Sequence, residues 1–234
     1  MIPVPHIATR AIPDRAVLDS MIGRLSAIGV REILLIAGSI ATPAGEYRES
    51  MQILESGVLE AHGIRRVGVA GHPEGNPDID EGSLSKALED KNRIAQERDL
   101  DLHILTQFCF AADPIVEWES RIRGQGNRLP ITIGLPGLAS PAALVKFGLA
   151  CGVGASLKVL RKQSGGLLKM ATKAVYRPDQ TVAGIARSLE AEPASLIRGL
   201  HYFPFGTLER TSQWARALAD GISDTNGGRL TPVG

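Results

Sequence analysis

This sequence has few cysteines and a formal net charge close to zero. The 234 residues include two cysteines, Cys109 and Cys151, which lie in apolar runs without CxxC spacing. This argues against a disulfide or zinc framework and predicts a reduced, cytoplasmic compartment. The formal net charge is +1, so bulk electrostatics give no reason to expect binding to nucleic acid. No stretch has the ~18 unbroken apolar residues that a membrane span needs.

Several common motifs are also missing. No GxGxxG follows the first apolar run and no GxxxxGK[ST] occurs anywhere, which argues against Rossmann and phosphate-loop nucleotide sites. The five histidines show no HxxxH or HxH spacing, so we predict no metal site. Ser39, Ser140 and Ser156 lie outside any GxSxG elbow, and a serine hydrolase is therefore unsupported.

Short apolar runs alternate with longer amphipathic segments along the chain. The apolar runs predict strands at Pro3–Thr9, Glu32–Gly38, Arg65–Gly71, His103–Phe108, Ile131–Leu135 and Leu196–Phe205. The periodic segments predict helices at Asp14–Ile28, Glu46–Ala61, Glu81–Arg98, Pro114–Arg123, Pro141–Cys151 and Leu208–Ala219. Repeated βα units predict a parallel sheet, either doubly wound or closed into a barrel, and the missing nucleotide motifs favour the barrel.

No linker, repeat or low-complexity tract divides the chain. We therefore predict a single α/β domain over residues 1–234, a TIM-type (β/α)₈ barrel. Because six strands are found and a full barrel takes ~250 residues, the barrel is expected to lack one or two βα units at its N-terminus. An open barrel exposes sheet edges, which predicts a homo-oligomer that covers them. Residues from about 222 to 234 have no periodicity and predict a flexible tail.

Polar residues follow the predicted strands, where the rim of a barrel builds its active site. Residues 67–78 read VGVAGHPEGNPD, which is more than a plain turn requires. We predict a ligand-binding loop there, with His72, Glu74 and Asn76 as its polar groups. Gln107 ends an apolar strand and needs several hydrogen-bonding partners, which a flat heterocycle such as a pterin or flavin provides. Phe108 fits either the core or a stacking surface.

Other candidates keep a structural alternative. His6 fits a hydrogen-bonded structural residue as well as a ligand-binding one. Gly38 fits a tight turn after its strand. Cys109 fits a small buried thiol better than a nucleophile. Residues 158–162 would form a basic helix edge, either solvated or available to a phosphate or polyglutamate tail.

Seven segments, in order along almost the whole chain, carry a resemblance to a known enzyme family. They are Pro5-His6-Ile7, Ala37-Gly38-Ser39, Val69 through Pro77, Lys91, Leu105 through Phe110, Pro130 through Pro136, and His201-Tyr202-Phe203. The most specific feature is an A-G-x-P-E-G-x-P loop followed downstream by T-Q-F-x-F. Together these segments resemble the methylenetetrahydrofolate reductase family in order and roughly in spacing.

The resemblance implies a (β/α)₈ barrel that binds FAD at its rim. It further implies that NAD(P)H or another electron donor serves to reduce 5,10-methylenetetrahydrofolate to 5-methyltetrahydrofolate, so that tetrahydrofolate derivatives are the partners. Gln107 matches the family's pterin-binding residue, and we assign Phe108 and Arg210 to the substrate site with it. The cofactor-binding residues that it implies are His6, Gly38, Ser39, Ala70, Gly71, His72, Asn76 and Lys91.

Two departures from the family pattern concern the chemistry. The Arg-Gly-Asp of the second strand end is Ala37-Gly38-Ser39 here, so a charge beside the flavin and pterin is replaced by a hydroxyl. The family's general acid lies in an E-F-x-P-P strand that would precede this sequence, and Glu74 and His72 are the candidates to replace it. Two alternatives stay open: a non-catalytic folate- or flavin-binding homologue or subunit of a one-carbon complex, and a pterin-dependent methyltransferase barrel.

Overall fold

The computed structural model describes residues 4–38, 40–76, 79–150 and 175–220. Their strands form a six-stranded parallel sheet whose order follows the chain, an α/β architecture consistent with a β/α-barrel type of fold. The strands are β1 (His6–Ala8), β2 (Glu32–Ile36), β3 (Arg66–Gly71), β4 (Asp101–Thr106), β5 (Ile131–Pro136) and β6 (Ile197–Phe203). All six predicted strands are therefore confirmed, although β1, β2, β3 and β6 are shorter than predicted, and β4 begins and ends two residues earlier.

Eight α-helices lie in this part of the chain, and a 3₁₀ turn at Thr9–Ala11 follows β1. They are α1 (Arg15–Ala27), α2 (Ser50–Glu55), α3 (Val58–Ala61), α4 (Glu81–Glu97), α5 (Ala112–Gly124), α6 (Pro141–Ala150), α7 (Asp179–Ala191) and α8 (Leu208–Ala219). The single helix predicted over Glu46–Ala61 is wrong. Gly57 has a left-handed backbone with φ +79°, which separates α2 from α3 because a right-handed helix cannot continue through it.

Aspartates determine where two of the long helices begin. The carboxylate of Asp14 accepts the backbone N–H of Val17 at 2.8 Å, just before α1. Asp80 accepts the backbone N–H of Ser83 at 2.9 Å and its hydroxyl at 2.6 Å. Such N-caps satisfy the N–H groups that a first helical turn leaves unbonded. The hydrogen bonds from Ser83 also lower the pKa of Asp80, and α4 begins at Glu81 as the sequence predicts.

The chain folds into two compact units. The first unit comprises Met1–Gly71, Ile79–Thr106 and Gln125–Thr132, and the second comprises His72–Asp78, Gln107–Gly124 and Ile133–Gly234. The core of the first unit is aliphatic. Ile33 of β2 lies opposite Val67 of β3, and Val69 lies opposite Ile104 of β4. All four side chains are buried, as expected for strands covered on both faces of a parallel sheet.

Helices of the second unit are fastened to its strands by buried polar contacts. Glu119 of α5 is 2% exposed, and its Oε1 accepts the backbone N–H of Leu196 at 2.9 Å, just before β6. Gly137 follows β5 and approaches α8 so closely that an added Cβ would lie 2.5 Å from Thr211 Oγ1. That hydroxyl also accepts the N–H of Leu138 at 3.1 Å. These contacts fix the strand ends from which the loops of the second unit emerge.

The first unit also buries a histidine in its sheet. His103 of β4 is 8% exposed, and its Nε2 lies 3.6 Å from Glu32 Oε1. Its Nδ1 is buried without a hydrogen-bond partner among the described residues. Desolvation lowers the pKa of His103 from its ordinary value of 6.5, as does Arg66, while Glu32 and Asp101 oppose the change. The folded protein therefore favours the neutral imidazole.

Acid should destabilise the protein through His103. Because its folded pKa is depressed, its neutral form contributes fully above the unfolded value of 6.5, and that contribution is lost as the pH falls below it. Urea unfolding between about pH 7.5 and about pH 5.5 should show a smaller loss of stability in His103→Gln than in the wild type. His62→Gln is the matched control, since His62 is an accessible histidine that contacts Asp19. An equal loss in His103→Gln and the wild type would contradict the assignment.

Candidate functional site

The loop after β3 contributes its polar side chains to the second unit. Gly75 takes a left-handed conformation with φ +78°, and its N–H donates to the carbonyl of His72 at 3.0 Å. This tight turn carries Glu74, both of whose carboxylate oxygens are buried. Asn76 follows and is half-buried. A carboxyl group shielded from water is unusual on a loop, and it is the feature that most distinguishes this one.

The segment that follows β4 lies in the same unit. The N–H of Phe108 donates to Gln107 Oε1 at 3.2 Å, so the amide of Gln107 is held close to its own backbone. Cys109 is 1% exposed, and its N–H donates to the carbonyl of Gly134 at 3.1 Å. Burial and then the charge of Glu74 raise the pKa of the Cys109 thiol. A buried thiol with a raised pKa is a poor nucleophile, which favours the structural alternative for Cys109.

An aromatic cluster forms the core of the second unit. The chain has five phenylalanines, and the ring contacts gather all of them with a tyrosine and a histidine. The members of this aromatic cluster are Phe108, Phe110, Phe147, Tyr176, His201, Phe203 and Phe205. Phe108 and Phe110 are each 1% exposed and meet edge to face with centroids 5.9 Å apart. Their burial favours the core alternative for Phe108.

The outer rings of the aromatic cluster remain partly exposed. Phe205 stacks on Phe147 with centroids 4.7 Å apart and 18° between planes. It is also nearly parallel to Phe203, with 6.1 Å between centroids and 16° between planes. Phe108 and Phe205 meet edge to face, with centroids 5.0 Å apart. The second unit therefore has two buried aromatic rings in contact with nearly parallel rings that are partly exposed.

A polar network in the second unit was not predicted from the sequence. Asp179 is 3% exposed, and its carboxylate accepts Arg177 Nε at 2.7 Å and Trp214 Nε1 at 3.1 Å. Tyr202 packs edge-on against Trp214 with centroids 5.1 Å apart. Burial, assisted by the charge of Asp179, raises the pKa of Tyr202 to about 12. The sequence feature that could have indicated this network is Asp179, at the start of α7. The sequence pattern does not predict α7, because its buried residues form no clear apolar period.

Four of the predicted cofactor residues lie on or beside strands of the first unit. His6 lies opposite Leu34 in the sheet, and partial burial lowers its pKa. Gly38 has φ +87°, and a Cβ there would lie 3.0 Å from the Cβ of Ala8. This gives Gly38 a structural reason to be glycine. Ala70 and Gly71 are the last two residues of β3 and pair with β4.

Lys91 and Arg210 have different surroundings. Lys91 is on α4, where burial lowers the pKa of its ammonium and the charge of Glu49 opposes this effect. No hydrogen bond or ion pair joins Lys91 to another residue in the part of the chain that the structure describes. Arg210 is on α8 and exposed. Ser39, Cys151, the basic edge at 158–162 and the tail lie outside the described residues.

A separate surface groove of about 630 Å³ lies in the first unit, and its walls are mostly charged. It is lined by Glu55, Glu60, Arg93, Ile94, Glu97, Arg98 and Asp99. Its arginines are engaged, with Arg98 Nε 2.7 Å from Glu60 Oε1 and Arg93 Nη1 2.7 Å from Glu97 Oε2. None of the predicted site residues lines this groove, so we do not assign the function to it.

The fold defines the class of protein: an α/β protein with a parallel sheet. Within the described ranges, no group of three or more His, Cys, Asp or Glu side chains could hold a metal ion, and no helix is both long and apolar enough to cross a membrane. No protein-family model matches the chain. The resemblance to the reductase family therefore rests on the motifs themselves.

Proposed function

We propose that the chain is a folate-dependent oxidoreductase of TIM-barrel architecture, which reduces 5,10-methylenetetrahydrofolate to 5-methyltetrahydrofolate through bound FAD. The observation that carries the proposal is the composition of the second unit. A buried carboxyl group at Glu74, the amide of Gln107 and a partly exposed layer of parallel aromatic rings all belong to it. A flat heterocycle that must also be protonated needs these three kinds of group.

Each of these groups has a role in the proposed reaction. The amide of Gln107 offers both donors and an acceptor to the edge of a pterin. The outer rings of the aromatic cluster provide a face for stacking. Glu74 donates a proton to the bridging nitrogen as the imidazolidine ring opens, because it is a carboxyl group held on the rim loop of the same unit.

The first unit offers residues suited to FAD. Lys91 is half-buried, and its ammonium has no ion-pair partner in the described part of the chain, so an anionic phosphate would compensate its charge. Ala70 has a small side chain and Gly71 has none, so the backbone at this strand end can approach a flat ring. FAD supplies hydride chemistry when bound. The electron donor is NAD(P)H or another reductant.

The test begins with the purified protein. A flavin absorption spectrum, either as purified or after reconstitution with FAD, and turnover of 5,10-methylenetetrahydrofolate with NADH, NADPH or a reduced dye are the expected results. Protein that takes up no flavin and binds no folate refutes the proposal.

A second candidate is a folate-binding homologue without turnover. It is favoured by Ala37-Gly38-Ser39, where the family has a charged pair. Gly38 is fixed by its φ of +87°, so the segment has a structural use that needs no catalysis. Tight folate binding together with an absence of turnover from every electron donor tried would select this candidate over the reductase.

A further inference from the structure

A tight turn between β6 and α8 contains a residue type that such turns rarely have. The N–H of Thr207 donates to the carbonyl of Pro204 at 2.9 Å, and the two residues between them have φ +46° and φ +88°. Two successive positive φ angles are typical of a type I′ turn, whose first central position favours Asn, Asp or Gly. Here that position is occupied by Phe205, whose side chain makes the left-handed backbone costly.

The turn is nevertheless well determined by its surroundings. Thr207 Oγ1 contacts the carbonyls of Leu138 and Pro204, both at 2.6 Å. The Phe205 ring stacks on Phe147 and meets Phe108 edge to face. Strained residues persist only where the structure around them compensates, and they concentrate at functional sites. Phe205 packs against the buried core of the second unit but remains partly exposed.

We propose that Phe205 is a specificity-determining residue, whose left-handed backbone holds its ring beside Phe147 and Phe203 as a wall against which a flat aromatic or heteroaromatic ring of the ligand stacks. The three rings are nearly parallel, with 18° and 16° between adjacent planes. These residues are partly exposed, and stacking of a planar ligand on an aromatic ring tolerates different ring systems. The inference rests on the proposed function only for the identity of the ligand.

Three variants distinguish the effect of the aromatic ring from the effect of the backbone conformation. Phe205→Tyr keeps an aromatic face, Phe205→Leu keeps an apolar side chain without one, and Phe205→Asn suits the turn but removes the ring. Titration calorimetry with 5-methyltetrahydrofolate, FAD, riboflavin and adenosine should show binding close to wild type in Phe205→Tyr. Phe205→Leu and Phe205→Asn should bind about 5- to 100-fold more weakly. Thermal melts should place Phe205→Asn no lower than Phe205→Leu, because asparagine relieves the backbone strain.

The outcomes distinguish this inference from the proposed function. Wild-type protein that binds adenosine but neither folate nor flavin refutes the proposed function, and weaker adenosine binding by Phe205→Leu then still supports the wall. Binding in Phe205→Leu as tight as in the wild type overturns the inference, whatever the ligand. A wild type that binds none of the four planar compounds overturns it as well.

Discussion

Replacing Glu74 by Gln should lower turnover of 5,10-methylenetetrahydrofolate by about 10²- to 10⁴-fold, which is the usual contribution of a positioned acid. Glutamine has nearly the shape of glutamate but cannot give up a proton. The variant should therefore still bind folate and FAD, and its kcat should fall much more than its KM changes. Steady-state kinetics with a saturating electron donor, combined with folate titration, measure this separation.

Glu117→Gln is the matched control for this experiment. Glu117 lies in the same unit on α5, but it is exposed, so the same chemical change there should leave kcat unaltered. Should Glu74→Gln retain wild-type kcat, the proton comes from another group, and His72→Gln becomes the informative variant. Loss of folate binding in Glu74→Gln would instead assign Glu74 to substrate binding.

Replacing Phe108 by Ala should reduce the free energy of unfolding by about 3–5 kcal/mol, because the ring is fully enclosed and its removal leaves a cavity. Phe108 is 1% exposed and supports three other phenylalanine rings. Urea unfolding followed by circular dichroism gives the change directly. Leu208→Ala, which removes apolar volume from a side chain that is 61% exposed, should change the free energy by no more than about 0.5 kcal/mol.

A second substitution of Phe108 tests whether its ring contacts the substrate. Phe108→Leu keeps most of the buried volume and should cost less than about 1.5 kcal/mol. Because the ring is inaccessible to solvent, we expect this variant to bind folate as tightly as the wild type. Markedly weaker folate binding in a folded Phe108→Leu would instead support the prediction, made from the sequence, that Phe108 belongs to the substrate site.

Much of the architecture could be predicted from the sequence, because buried parallel strands leave an unambiguous pattern. Ile33, Val67 and Ile104 lie in short apolar runs that fit a two-sided buried strand. The break between α2 and α3 was missed because glycine is tolerated in helical patterns, and the residues around Gly57 do not predict its left-handed backbone. Helix α7 was missed because its apolar face is made largely of Val182, Ile185 and small residues.

The candidate site was less accessible from the sequence. The polar loop at His72 through Asn76 could be singled out by composition, yet the burial of the Glu74 carboxylate depends on neighbours that are distant in the chain. The gathering of all five phenylalanines likewise depends on tertiary structure. Phe205 was hidden for another reason, since its backbone conformation contradicts the residue preference from which turns are predicted.

The order of the strands has a consequence for how the chain is made. In the sheet each strand adjoins the one that precedes it in sequence, so during synthesis every new strand finds its partner already extruded. None of these six described strands needs a partner encoded much later, which limits the time that unpaired edges are open to aggregation. The architecture therefore suits vectorial folding on the ribosome, one βα unit after another.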